Sequence, residues 1–222
     1  MSEEIRELLV ETAHRVFGRE SADPWAEVEK SGLASIGEEA ELADVAAVIR
    51  VSAYEGAEID FADRVMPEIG DRQRRGALMR SIQIAGALER VRDMTVQYAG
   101  ERRQFGQPLN RFQAVQQQLA EMAGEVALAG AAVEAAVADP LSPKQVAAAK
   151  VVAGHAAGRV AAIAHQVHGA IGFTYEHQLH RWTLKLWEWR DQFGTESAWA
   201  EALGDLLAHS GGDRLWEVVT GE

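Results

Sequence analysis

Three long stretches with helical apolar spacing, separated by very short turns, constrain this chain more than any other feature. From Arg75 to Arg102, Leu78, Ile82, Ala85 and Leu88 recur at three- and four-residue steps, continued by Thr95 and Tyr98. The second stretch runs from Arg111 to Ala138 and carries Val115, Leu119, Met122, Val126, Ala129 and Val133. The third, from Pro143 to Val167, is rich in Ala and Gly, which permits close helix approach. "QFGQPLN" divides the first from the second, and "DPLSP" the second from the third. Long helices joined by such short turns pack antiparallel. Strand signals are nearly absent. The predicted fold class is all-α: an antiparallel bundle over residues 71–209, a helical segment over 1–70 before it, and a tail over 210–222.

The first segment is punctuated by turn chemistry. Ser2 is placed to cap a helix reaching about Arg19, with Glu3 and Glu4 in its first turn and Ile5, Leu8, Leu9 and Val16 near helical spacing. "SADPW" breaks that helix and starts another, with Asp23 as N-cap and Pro24 at the first helical position. A run from Glu39 to Ala57 reads as helix, and "EIDFADRVMPEIGD" as a short helical piece and a loop around Pro67. After the three long stretches, "HGAIGFTYEHQ" reads as a loop. Leu179–Arg190 and Ser197–Ala208 then read as shorter helices.

Composition excludes some functions. The chain has no cysteine, so disulfide and thiolate chemistry are absent. Net charge is −12, and residues 1–65 carry 16 acidic against 6 basic side chains. Nucleic acid rewards the opposite pattern. The acidic excess reads first as a solvated surface and second as a face for a basic partner. No stretch reads as the ~18 apolar residues of a membrane span, and "MSEEIRELLV" lacks the basic and apolar regions of a signal peptide. A cytoplasmic protein that binds neither membrane nor nucleic acid is expected.

Four features can carry chemistry. His165 and His168, and again His177 and His180, stand three apart, a spacing that suits metal ligands on a helix. A glycine segment separates the pairs, and no metal site is assigned. Gly169 and Gly172 can present backbone N–H groups to phosphate oxygens, or simply end a helix. Trp182, Trp187, Trp189 and Phe193 suit a core or an interface. Arg102 and Arg103 sit where a helix ends, either as cations at the negative pole of its dipole or as guanidinium forks for a pyrophosphate.

Taken together, "GALERVRDMTVQYAGERRQFGQPLNRFQAVQQQLAEMAGEV" and "HQVHGAIGFTYEHQLHRWTLKLWEWRDQFG" closely resemble the C-terminal domain of acyl-CoA dehydrogenases. The first block resembles the family's "ERxxFG…FQxxQxxLAdM" segment, and the second its "Q-x-x-G-x-x-G-[FY]" segment. The resemblance covers about residues 75–205. Residues 1–65 resemble the family's N-terminal helices more loosely. The family's middle β-domain has no counterpart here, because the first long helix follows directly on the helical N-terminal segment.

The resemblance implies FAD as cofactor, shared between subunits. One subunit's middle domain holds the flavin ring, and its neighbour's bundle reaches the pyrophosphate and adenosine. Carried over by position, this chain's contribution is Arg102, Gln104, Phe105, Gln113, Gln166, Val167, His168, Gly169 and Ala170. Position 170 is usually glycine in the family. The two places where the family keeps its catalytic carboxylate correspond here to Gly76 and Phe193, so no catalytic residue is expected in this chain. The nearby Glu188, Asp191 and Glu196 are displaced along a helix, which redirects a side chain beyond what proton transfer tolerates. The implied role is one subunit of a heteromeric acyl-CoA dehydrogenase of α2β2 type. Its partner would be a full-length homologue supplying the catalytic Glu, acting on an acyl-CoA that includes steroid-derived thioesters. A non-catalytic scaffold derived from the same fold is the alternative, and a self-sufficient flavoenzyme with a relocated base is the third.

Overall fold

The computed structural model describes residues 3–174, 176–209, 211 and 216–217. The expected Ser2 cap and most of the 210–222 tail lie outside the described residues.

Ten α-helices make up the fold among the described residues. Helix α1 (Glu3–Phe17) ends at Gly18, whose N–H bonds the His14 carbonyl at 2.9 Å. In α2 (Pro24–Lys30), Asp23 caps as its position predicts, with Oδ1 accepting the Ala26 N–H at 3.0 Å and proline at the first turn. Glu39 ends a separate short helix, α3 (Ile36–Glu39), which stops where Ala40 turns extended. The run expected from Glu39 to Ala57 is helix α4 (Leu42–Tyr54), shorter by three residues at each end. Helix α5 (Phe61–Val65) ends before Pro67.

The bundle then follows. Helix α6 (Arg72–Glu101) has 30 residues, roughly 45 Å at 1.5 Å per residue. It begins one turn earlier than the apolar pattern suggests, because the Asp71 carboxylate caps the Arg74 N–H at 2.9 Å. A two-stranded antiparallel hairpin follows, pairing β1 (Arg103–Gln104) with β2 (Gln107–Pro108). A 3-10 turn over Leu109–Arg111 leads into α7 (Gln113–Ala138). Ser142 caps α8 (Pro143–His168), which has proline at its first turn. Helices α9 (Leu179–Asp191) and α10 (Glu196–His209) follow. Glu121 pairs with Arg159 and Glu125 with His155, so α7 and α8 run antiparallel.

Helix α6 is the axis of the molecule. A single apolar stripe was expected, yet every residue from 76 to 88 is buried, because α4, α7, α8 and α9 pack around it. Small residues permit this. Gly86 sits so close to α4 that a Cβ there would overlap the Arg50 carbonyl. The buried alanines of α8, among them Ala149, Ala153, Ala156 and Ala157, act in the same way. Core residues of α1 to α5 merge with those of α6, α7 and α8, so residues 3–66 share the bundle's core. The reading that no stretch could pass for a membrane span is corrected by α8. The helical stretch Pro143–Phe173 is long and apolar enough by composition, but most of it is buried among neighbouring helices.

Lys150 is fully buried in α8. Its Nζ donates to the carbonyls of Trp189 at 2.8 Å and Arg190 at 3.0 Å, capping the end of α9. Burial pushes its pKa down to about 8. In the unfolded chain the amine titrates near 10.4. Between those values the unfolded state binds the extra proton, so stability rises with pH. At 1.36 kcal/mol per pH unit the rise is about 3 kcal/mol at most. Chemical denaturation from pH 7.5 to 10 is expected to show this slope in the native protein and lose it in Lys150→Met.

Candidate functional site

The two sequence blocks meet at one end of the bundle. Tyr98, one turn before Arg102, stacks on His168 with ring centroids 4.3 Å apart. Its hydroxyl donates to the His168 carbonyl at 3.4 Å. The end of α6 is thereby tied to the end of α8, 70 residues away. Helix α7 starts at the same end, and the Leu109 N–H bonds the Arg102 carbonyl at 2.9 Å.

At this end four polar side chains are uncommitted. Arg102, Gln104, Gln113 and Gln166 are exposed, and their side chains have no hydrogen-bond or ion-pair partner among the described residues. Arg103 instead folds back, donating to the Gly106 carbonyl at 2.9 Å. Phe105 and Gly106 form the hairpin tip, both with positive φ (51° and 83°), and the Phe105 ring is 93% exposed. Gly169 ends α8 at φ 65°, ψ −147°, a conformation open to glycine, and nothing lies within 4 Å of where its Cβ would stand. Exposed Ala170 continues this open backbone.

Two residues of the set point elsewhere. Val167 is buried in the core, and so is the His168 ring, with its Nδ1 2.8 Å from the Ala164 carbonyl. What these two can offer a ligand is backbone. The arginines also have an electrostatic reason to be here. The ends of α6 and α8 carry the negative poles of their dipoles, which repel phosphate. The uncapped start of α7 and the Arg102 guanidinium supply the compensating positive field. An extended anionic group such as the pyrophosphate of FAD suits what these elements carry: open backbone at Gly169, uncommitted donors on β1, α7 and α8, and a fork-shaped cation at the end of α6.

Among the described residues, no three His or acidic side chains come together as metal ligands would. His165 Nε2 lies 3.2 Å from the Thr183 hydroxyl and its ring stacks on Phe173, while His168 and His177 meet edge to face at 4.6 Å. "HGAIGFTYEHQ", expected as a loop, is a 3-10 helix over Gly169–Phe173, with Tyr175 outside the described residues. Burial lowers the pKa of His165, His168 and His177. The fold therefore prefers them neutral, and the unfolded chain protonates first as pH falls below about 6.5. The melting temperature is expected to drop between pH 6.5 and 5, with a shallower drop in His168→Gln.

The two positions that correspond to the family's carboxylate converge on one spot. A Cβ on Gly76 would overlap the Phe193 ring, so the ring fills the space above that glycine. Phe193 itself has φ 56°, a left-handed conformation rare for an aromatic residue. Its carbonyl accepts the Trp199 indole N–H at 2.9 Å. The Arg80 guanidinium faces the ring, 5.7 Å from its centroid. Arg80 is buried and donates to both Asp63 oxygens at 3.0 Å, to Gln192 at 2.6 Å and to Gln83 at 2.5 Å. Glu188 accepts from Gln192 at 3.0 Å, and Asp191 from the adjacent Arg190 at 3.2 Å. No carboxylate takes the place that the phenyl ring occupies. Sequence reasoning missed Arg80, whose charge interrupts the apolar pattern of α6, and read Tyr98 only as one more residue of that pattern.

The model for the acyl-CoA dehydrogenase C-terminal domain matches residues 72–186, from the start of α6 into α9. The chain belongs to the acyl-CoA dehydrogenase family. Acyl-CoA dehydrogenase IpdE2 of Mycobacterium tuberculosis is 38% identical over 104 residues, 47% of this chain and 32% of that protein. The chain thus spans about a third of the length of these curated relatives. Two solved structures share its fold over nearly the whole chain, both at 16% identity. A chain of the Tcur3481–Tcur3483 steroid ACAD G363A variant aligns with TM-score 0.81, covering 93% of this chain and 98% of that one. A chain of the ChsE4–ChsE5 complex from Mycobacterium tuberculosis aligns with TM-score 0.77, covering 94% and 98%. The acyl-CoA dehydrogenase bundle here follows directly on α5, with no middle β-domain between Val65 and Arg72.

Proposed function

We propose that this chain is the non-catalytic subunit of a two-chain FAD-dependent acyl-CoA dehydrogenase. A full-length homologue, in an α2β2 assembly, would hold the flavin ring and supply the catalytic Glu. The observation that carries the reading is a pairing of opposites in one chain. The residues for the pyrophosphate end of FAD are free and exposed, while the place for the catalytic carboxylate is filled by Phe193 over Gly76. Arg102 would take the pyrophosphate as a bidentate cation. Gln104, Gln113 and Gln166 would donate around it, and the Gly169–Ala170 backbone would let it approach. Phe105 would cover the adenosine side from the hairpin tip. FAD supplies the hydride acceptor when bound. A scaffold without cofactor has no stated use for the open backbone at Gly169 beside these uncommitted donors.

Two chains of the same fold come from complexes whose names give two components, one of them a steroid acyl-CoA dehydrogenase. By analogy we infer a bulky, steroid-type acyl-CoA as substrate. The test is co-expression with full-length acyl-CoA dehydrogenase homologues from the same genome. The chain alone is expected to purify colourless, and the complex yellow with both chains retained. A yellow, FAD-loaded protein from this chain alone would overturn the proposal, and so would failure of every full-length homologue to co-purify with it.

A further inference from the structure

A cleft of about 750 Å³ opens between α1, α4, α6 and α7 and shares no residue with the candidate cofactor site. Its floor is apolar: Ala43, Ala46, Ala47 and Val51 on α4, Ile82 on α6 and Val133 on α7. The three alanines are spaced to lie on one helical face, and any longer side chain there would close the gap. The volume and the apolar lining with a few polar groups are those of small-molecule sites.

The charges around the cleft decide what it takes. Arg6 donates to Asp44 at 2.6 Å. Arg50 donates to Glu89 at 2.6 Å and to Glu134 at 3.3 Å. Arg92 pairs with Asp93 at 2.8 Å, and His14 meets Glu55 at 2.7 Å. Each guanidinium is already matched, and Asp44, Glu89, Glu134 and Asp93 are four carboxylates against three arginines. An anionic ligand would meet no free cation and would have to be desolvated uncompensated, which is costly. A neutral ligand burying apolar surface meets no such barrier.

We propose that the cleft between α1, α4, α6 and α7 is a binding site for an uncharged, largely apolar small molecule. The proposal stands independently of the cofactor-sharing role. N-phenyl-1-naphthylamine, a neutral fluorophore, is titrated into the purified chain and into its co-expressed complex. Saturable one-to-one binding is expected in both. Ala47→Phe, at a half-buried position facing the cleft, is expected to weaken it at least tenfold. Leu184→Ser, on the exposed face of α9, is expected to leave it unchanged. Should Ala47→Phe fail to fold, Ala43→Phe fills the same space from one turn away. The sulfonated analogue 1-anilinonaphthalene-8-sulfonate is expected to bind this site at least tenfold more weakly. Absence of saturable binding, full binding by a folded filled variant, or equal binding of the anionic probe would each overturn the proposal. Binding by the chain alone that vanishes in the complex would also overturn it and assign the cleft to the partner protein.

Discussion

Arg102→Ala is expected to strip flavin from the proposed two-chain complex while leaving that complex assembled. The Arg102 side chain is exposed and unpaired, so its loss removes no contact within the fold. In the assembly it would be enclosed against a doubly charged pyrophosphate, where hydrogen bonds to charged groups are worth about 1.5–3 kcal/mol. At 1.4 kcal/mol per tenfold, FAD should dissociate roughly 10- to 150-fold more readily. Flavin absorbance per complex after gel filtration, with a fluorescence titration for Kd, measures this directly. Arg102→Lys should recover only part of the loss, because an ammonium keeps the charge without the bidentate fork. Full flavin retention in Arg102→Ala would remove this residue from the site.

Gly86→Leu is expected to unfold the chain under ordinary conditions. The neighbour in the way is the backbone carbonyl of Arg50, which cannot swing aside as a side chain can. Helix α4 would have to leave α6, giving up the packing of Val48 and Ile49 and loosening the Arg50–Glu89 pair. Overpacking typically costs about 1–3 kcal/mol and more where backbone must move. The whole stability of a domain is only about 5–15 kcal/mol. Gly86→Ala should already lower the melting temperature, and leucine should abolish the cooperative transition. A Gly86→Leu protein that melts within a few degrees of the native one would mean that α4 and α6 do not hold this spacing.

The long helices were legible because their signals are local. Leu78, Ile82, Ala85 and Leu88 mark α6, Asp23 and Pro24 fix the start of α2, and "DPLSP" forces the turn before α8. What was illegible depends on partners distant in the chain. No local pattern shows that α6 is enclosed on all sides, that Lys150 is swallowed to cap α9, or that Tyr98 meets His168. Nor could spacing alone show that Gly76 and Phe193, 117 positions apart in number, touch the same point. The candidate cofactor positions came from family resemblance; the structure adds that Arg102, Gln104, Gln113 and Gln166 are free to act, and that Val167 and His168 can offer only backbone.

Helix α8 has a consequence for how this protein comes into being. Its composition suits the interior of a bilayer, yet its place is among α6, α7, α9 and α10. As the chain emerges from the ribosome, α6 and α7 are available to it at once, but α9 and α10 arrive last. For that interval one flank of an oily rod faces water, open to chaperones and lipid surfaces alike. Slowing synthesis beyond Phe173, or truncating the message there, should therefore trade folded protein for aggregates and membrane-associated chains. The shortness of the stretch from α8 to α9 keeps that window brief.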